Sequence, residues 1–263
     1  MKWLFFVLSV FAFVTTARAE TLRMAVTTSF NNSGLSDILL PEIEADTGIK
    51  VRLLVVGTGQ ALRLGAAGDV DAVLVHSRAA EEAFVAAGSG PYRREIMYND
   101  FVLLGPGEDP ASIEGAKDAV SALRAIAGAR TPFVSRGDDS GTHKKELSLW
   151  ANAKIDPQGG WYRAVGAGMG ATLRTAAAMD AYTMSDRASW LKFGAKGNLR
   201  LLFSGDPVLF NQYAYLPVSA QKHPHVKADA AKRLEDWLVS DRAAELINGY
   251  RINGEKLFTH NAK

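Results

Sequence analysis

The sequence has 263 residues, of which 48% are hydrophobic and 22% are charged, and its formal net charge is +2. This composition is that of an ordinary globular protein and excludes long disordered or collagen-like segments. The chain contains no cysteine, which excludes disulfides, thiolate metal sites and cysteine nucleophiles, and its small net charge without a long basic run excludes a nucleic-acid-binding signature.

The N-terminus predicts a secretory signal peptide over residues 1–19. Lys2 precedes a predominantly apolar run at residues 3–14, and the small-residue triplet A-R-A ends at Ala19. A helix of twelve residues is about 18 Å long, well short of the roughly 30 Å hydrocarbon core, so a membrane anchor is disfavoured. Because no cysteine follows that could carry a lipid, we expect a free protein of the bacterial periplasm.

The first part of the mature chain alternates strands and helices. Apolar patterning predicts strands at residues 21–26, 49–56 and 72–75, with helices at 35–46 and 60–67. Residues 27–34 are rich in cap and turn residues, and Pro41 is expected to kink or divide its helix. This repetition predicts an α/β fold with a parallel sheet.

The second part continues the alternation. A strand at residues 101–104 ends at the G-P-G sequence 105–107, which we interpret as a crossing point between two lobes. Further strands are predicted at 132–134, 181–184, 199–203 and 213–218, and helices at 113–126, from about 141 through Trp150, at 166–179, at 226–239 and at 243–250.

Three predicted strand-to-helix turns share an unusual chemistry. They are T-T-S at residues 27–29, G-T-G at 57–59 and S-R-G-D-D-S-G-T at 135–142. Helix starts present unpaired N–H groups and a partial positive charge, hydroxyls donate further hydrogen bonds, and glycine permits close backbone approach. The single cation in these turns, Arg136, has a planar fork that suits an oxyanion. Each turn alone could be a plain N-cap, but three of them predict an anion site at the carboxyl ends of the strands.

These turns, together with further motifs, resemble the tungstate-binding periplasmic proteins of ABC importers. The shared sequences are T-T-S (27–29), G-T-G-Q-A-L (57–62), G-D-V-D-A-V-L-V-H (68–76), N-D-F-V (99–102), S-R-G-D-D-S-G-T-H-K-K-E (135–146) and M-G-A-T-L (169–173). The long run at 135–146 is the most specific, although its R-x-x-x-S-G-T core also occurs in phosphate-binding proteins. The family's first turn usually reads T-T-T-S, whereas here only two threonines follow Val26.

The resemblance implies a type II periplasmic-binding fold, in which two α/β lobes close on the ligand. We expect one lobe at residues 20–104 plus 206–263, and the other at 105–205. The implied ligand-binding residues are Thr28, Ser29, Thr58, Arg136, Ser140, Gly141 and Thr142, with Thr27, Ser135, Met169 and Gly170 as a second tier. The resemblance also implies an ABC permease of the inner membrane as partner, an oxyanion ligand rather than a cofactor, no catalysis, and a monomer.

Two other classes of protein compete with this interpretation. Ser140, His143 and Asp139 suggest a serine hydrolase, but G-D-D-S-G is not the G-x-S-x-G nucleophile elbow. His223 and His225 suggest a metal site, but no carboxylate lies close in sequence, which favours a polar loop. His76, after an apolar strand, is expected in the core or at a cleft edge.

Among oxyanions, the sequence alone leaves several candidates. Hydrogen phosphate carries a proton and therefore benefits from a carboxylate acceptor, whereas tungstate, molybdate and sulfate suit a pocket made of donors. Asp138 and Asp139 of the third turn could accept such a proton, but we interpret them as residues that orient Arg136 and cap the following helix. Tungstate or molybdate is the ligand that the resemblance favours, with phosphate and sulfate as the alternatives.

Overall fold

The computed structural model describes residues 20–263, so the predicted signal peptide lies outside the described residues. The described strands are β1 (Glu20–Thr27), β2 (Ile49–Val56), β3 (Ala72–Val75), β4 (Arg94–Pro106), β5 (Phe133–Ser135), β6 (Tyr162–Ala164), β7 (Tyr182–Asp186), β8 (Leu199–Phe203), β9 (Phe210–Pro217), β10 (Arg251–Ile252), β11 (Glu255–Lys256) and β12 (Thr259–His260). The described helices are α1 (Thr28–Ser33), α2 (Leu35–Thr47), α3 (Thr58–Ala67), α4 (Arg78–Ala86), α5 (Ala119–Ala129), α6 (Gly141–Asn152), α7 (Met169–Ala178), α8 (Arg187–Lys192), α9 (Ala228–Leu238) and α10 (Asp241–Gly249).

The main sheet is mixed, which confirms the α/β fold but corrects the prediction of a parallel sheet. Its strand order is β2-β1-β3-β9-β4-β7-β5-β6, with β8 and β12 also paired to β4. The pairs that β1 and β5 form with their neighbours are parallel, as predicted for strands joined through helices. The pairs that β4 and β9 form with their neighbours are antiparallel, because these strands return in the opposite direction.

The long strand β4 connects the two halves of the sheet. Residues 94–100 pair with β9, and residues 101–104 pair with β7. Phe101 and Leu103 contribute to one hydrophobic cluster, whereas Val102 and Leu104 contribute to another. Successive side chains of a strand point to opposite faces, so both faces of β4 are covered by packed side chains.

Several elements differ from the sequence-based expectation. Helix α2 continues through Pro41 and is not divided. The helix expected from residue 113 begins only at Ala119, because Asp118 accepts a hydrogen bond from Ser121 N–H and caps it there. Residues 28–33 form a short helix rather than a turn, with Phe30 buried. Helices α4 and α8 were not predicted. Among the described residues, no helix is long and apolar enough to cross a bilayer.

Candidate functional site

The three predicted turns meet in one small cavity. β1, β2 and β5 each end directly before or close to a helix start, and the first turns of α1, α3 and α6 face a common space of about 30 Å³. Its lining residues are Thr27, Thr28, Ser29, Gly57, Thr58, His76, Arg136, Ser140, Gly141 and Thr142. The structure therefore brings together all seven residues of the predicted first tier, with Thr27 of the second.

A second, larger cavity of about 300 Å³ adjoins the first and shares Thr28, Ser29 and Arg136 with it. Its further lining residues are Asn32, Gly168, Met169, Gly170, Asp186 and Ser189. Met169 and Gly170 of the second tier therefore lie at this cavity, at the start of α7.

Ser135, by contrast, lines neither cavity. It is fully buried, and its hydroxyl donates to Glu146 at 2.7 Å. The same carboxylate accepts from Trp150 and Tyr162, and burial raises the pKa of Glu146. Ser135 therefore belongs to a buried polar network behind α6 rather than to the cavity wall.

The helix starts divide into capped and uncapped ones. Thr27 accepts a hydrogen bond from Phe30 N–H, and Ser140 accepts one from His143 N–H, so these two hydroxyls cap α1 and α6. The residues at the same position of α3 and α7 are Gly57 and Gly168, and neither helix start has a side-chain cap. The first N–H groups of α3 and α7 are thus free of side-chain acceptors, and an anion is the ligand that such groups favour.

Arg136 supplies the positive charge of the site. Its Nε and Nη2 both donate to Asp138 Oδ2, at 3.1 and 2.5 Å, and only 12% of its side chain is exposed. Burial raises the pKa of Asp138, but its hydrogen bonds with Arg136 and Ser140 outweigh that effect and hold the pKa below the ordinary value. An ionised Asp138 therefore fixes the guanidinium, while Asp139 lies exposed beside Lys144.

The residues that suggested a serine hydrolase or a metal site make other contacts in the structure. Ser140 Oγ accepts from the backbone N–H of His143, while Nδ1 of that ring accepts from Asp139 N–H, so Ser140 and the His143 ring do not form a hydrogen bond with each other. His223 and His225 each use Nε2 on a backbone carbonyl, of Ala66 and Gly68. In the described part of the chain no group of three potential metal ligands occurs.

Sequence reasoning missed the roles of His76 and Asp186. His76 was expected in the core or at a cleft edge, and its ring in fact lines the small cavity, with Nε2 3.0 Å from Ser29 Oγ. Asp186, at the end of β7, is buried and accepts from Ser189 N–H, and burial raises its pKa. A polar residue two positions after the strand predicted at 181–184 was the available signal for Asp186.

Gly141 is required by the close approach of His76. A Cβ at residue 141 would lie 2.5 Å from His76 Cε1, whereas a Cβ at Gly59, near the start of α3, would lie 3.5 Å from the end of Arg63. We expect Gly141→Ala to lower the free energy of unfolding by about 1–3 kcal/mol, because the buried ring must move. Gly59→Ala is the matched control and should raise it by up to about 1 kcal/mol. Urea unfolding measures both; equal stabilisation by the two substitutions would show that the ring accommodates a methyl group.

His76 should also make the empty protein less stable in acid. Burial, and then the positive charges of Arg136 and Lys145, lower the pKa of His76 from 6.5 to about 4. Between these values the unfolded chain binds a proton that the folded protein does not. The free energy of unfolding should therefore fall as the pH falls from 6.5 to 4, by up to about 3 kcal/mol from this residue. Urea unfolding of His76→Gln should show a flatter pH dependence over this range; identical slopes would contradict the assignment.

Comparison with known proteins agrees with this geometry. Residues 14–242 match the family described as the PBP superfamily domain, which defines the class of protein. The chain is 48% identical over 246 residues to the tungstate-binding protein TupA of Peptoclostridium acidaminophilum, covering 92% of this chain and 86% of that protein. The chain belongs to the family of the TupA proteins.

Two solved structures support the same assignment. The tungstate-binding protein TupA from Desulfovibrio alaskensis G20 superposes with a TM-score of 0.86 at 44% identity, over 93% of this chain and all of that one. The structure described as the tungstate ABC transporter from Geobacter sulfurreducens gives a TM-score of 0.80 at 48% identity, over 88% of this chain and 99% of that one. The predicted periplasmic-binding-protein fold is thereby confirmed.

Proposed function

We propose that this protein captures tungstate, and molybdate as well, in the periplasm and delivers it to an ABC importer. The observation that carries the proposal is the small cavity, where hydroxyls, the uncapped start of α3 and Arg136 converge and where no carboxylate occurs among the described lining residues. Such a wall of donors suits a fully deprotonated tetrahedral dianion. The names of the related proteins support tungstate as that dianion.

Seven of the residues that line the small cavity are the proposed ligand-binding residues. Thr28, Ser29, Thr58, Ser140 and Thr142 would donate through hydroxyls, Gly141 through its backbone N–H, and Arg136 through its guanidinium. Met169 and Gly170 would add backbone donors from the adjoining cavity. Burying a dianion is costly unless it is fully hydrogen-bonded, which is why so many donors are needed.

Binding is proposed to close two lobes, residues 20–104 with 206–263 and residues 105–205. Thr28 and Thr58 lie on the β1–β2 side of the sheet, and Arg136 to Thr142 lie on the β5 side. An anion held from both sides has a higher affinity for the closed form and shifts the population toward it. The permease could then distinguish loaded from empty protein by lobe geometry.

The remaining parts of the proposal follow from the family. We propose a cleavable signal peptide at residues 1–19, a monomer in the periplasm, no cofactor and no catalysis. The hydroxyl of Ser140 caps α6 instead of pairing with an imidazole, which supports a binding role over a hydrolytic one.

Phosphate is the second candidate, because Asp186 offers a carboxylate in the adjoining cavity. A carboxylate could accept the proton of hydrogen phosphate. The Asp186 side chain already accepts from Ser189 N–H as the cap of α8, and the small cavity holds the larger number of donors, so tungstate remains the better fit.

Isothermal titration of the mature protein with tungstate, molybdate, sulfate and phosphate tests the proposal. We expect one site per chain, with tungstate bound most tightly or equally with molybdate, and with phosphate much weaker. Tight phosphate binding without a signal from tungstate or molybdate would make the protein a phosphate receptor instead.

A further inference from the structure

The ring of His76 is fixed in an unusual setting. Among the described residues, His76 Nδ1 is the buried side-chain polar atom that lacks a hydrogen-bond partner. The ring lies tilted against that of Tyr213, with ring centres 4.8 Å apart, and its Cε1 edge abuts Gly141. Buried polar atoms are almost always paired, so an unpaired one calls for an explanation. These contacts leave His76 Nε2 directed at Ser29 Oγ, 3.0 Å away.

The hydroxyl of Ser29 has one proton to donate but several polar neighbours that could accept it. Besides His76 Nε2, Tyr213 OH lies at 3.1 Å and Thr27 Oγ1 at 3.0 Å. A serine hydroxyl has one proton and two acceptor lone pairs. If the proton goes to any of these three neighbours, none remains for a ligand in the cavities that Ser29 lines.

The tautomer of His76 decides where that proton goes. With its proton on Nδ1, the neutral imidazole has a bare Nε2, which accepts the Ser29 proton and leaves a buried N–H without a partner. With its proton on Nε2, the ring donates to Ser29 Oγ, and the unpaired Nδ1 is only an acceptor. Burial also raises the pKa of Tyr213, so its phenol stays protonated and can donate to the second lone pair of Ser29.

We propose that His76 is a positioning residue of the oxyanion site, whose Nε2–H donates to Ser29 Oγ and thereby directs the Ser29 hydroxyl proton to the ligand. The inference rests on the proposed function, since it needs an anion in the cavity. It also gives a role to the neutral imidazole: the pKa of His76 near 4 means that the choice of tautomer, not the gain of a proton, controls Ser29 at neutral pH.

The consequence is a preference for oxygens that carry no proton. With both Ser29 lone pairs occupied by His76 and Tyr213, Ser29 is a donor only, and a charged ligand oxygen is a stronger acceptor for its proton than the Thr27 hydroxyl. A ligand oxygen of tungstate or molybdate accepts from it, whereas a protonated oxygen such as that of hydrogen phosphate finds no acceptor there. His76 therefore acts on specificity through Ser29 rather than as a donor to the ligand.

A matched pair of substitutions separates hydrogen bonding from packing. Both Gln and Met are unbranched side chains of similar length, but only Gln has an amide N–H near the position of Nε2. We expect His76→Met to weaken tungstate binding about 10-fold or more, and His76→Gln to remain within about 3-fold of the wild type. In a Ser29→Ala background, the difference between the two variants should disappear, because the residue that His76 positions is gone.

The four variants are His76→Met, His76→Gln and each of these combined with Ser29→Ala. Titration calorimetry of these variants and the wild type gives the double-mutant cycle, and urea unfolding confirms that each variant folds. The ¹⁵N chemical shifts of the imidazole in the tungstate-loaded wild type report the tautomer directly, and we expect the proton on Nε2. A proton on Nδ1, or an equal Gln–Met difference with and without Ser29, would overturn the inference. Failure of the wild type to bind tungstate would instead overturn the proposed function.

Discussion

Replacing Thr28 and Thr58 together by valine should weaken tungstate binding by about 10²- to 10⁴-fold. Each substitution removes a hydroxyl donor from the cavity while nearly conserving shape, and a hydrogen bond to a charged group is worth about 1.5–3 kcal/mol. Thr58 is 7% exposed, so water cannot easily replace its hydroxyl. Thr28 begins α1 and Thr58 begins α3, and both helices start on the β1–β2 side of the sheet. In the double variant, the residues on the β5 side would hold the anion without these two hydroxyl donors.

The double variant should also affect closure. Small-angle scattering of the wild type should show contraction on addition of tungstate, and the double variant should contract less at the same concentration. Thr131→Val with Thr175→Val is the matched control, since it removes two hydroxyls that bond to backbone carbonyls and line neither cavity. Tight binding and full contraction of the Thr28/Thr58 variant would refute the bridging mechanism.

Arg136→Lys should lower the affinity by roughly 10- to 100-fold although the charge is kept. Lysine cannot reproduce the two-pronged guanidinium, which here is also held by Asp138 through Nε and Nη2. The loss of a charged hydrogen bond corresponds to about 1.5–3 kcal/mol. A lysine has a single ammonium nitrogen on a flexible side chain, which would have to donate hydrogen bonds to both Asp138 and the ligand.

Titration calorimetry with tungstate measures this effect. Arg233→Lys is the control, because that arginine forms an exposed ion pair with Glu20 and lines neither cavity. It should bind as the wild type does. An Arg136→Lys variant of unchanged affinity would place Arg136 outside the contacts to the ligand.

Much of the fold could be predicted because its strands carry strong local signals. β2, β3 and β8 begin and end where the apolar runs predict. The first half of β4 could not be predicted, since residues 94–100 mix charged and polar residues and become a strand by pairing with β9. The two-residue strand β12 depends in the same way on pairing with β4, whereas β10 and β11 pair locally with each other.

The same distinction between local signals and tertiary contacts applies to the candidate site. The hydroxyls, glycines and arginine that line the small cavity could be predicted, because strand ends and helix starts are local features that meet at one edge of a sheet. The role of His76 could not, because it depends on Tyr213 and Gly141, which approach it from distant parts of the chain. Asp186 was missed because the short helix α8, which it caps, has little local signal of its own.

A crystal structure of the protein grown with tungstate, with the metal located by tungsten anomalous scattering, tests the central claim most directly. The account predicts one tungsten atom per chain in the small cavity, with its oxygens within about 3.2 Å of the Thr58 hydroxyl and the Arg136 guanidinium. It also predicts that the anion contacts residues on the β1–β2 side of the sheet and residues on the β5 side. A tungsten atom elsewhere, or an empty cavity in the presence of excess tungstate, would contradict the account.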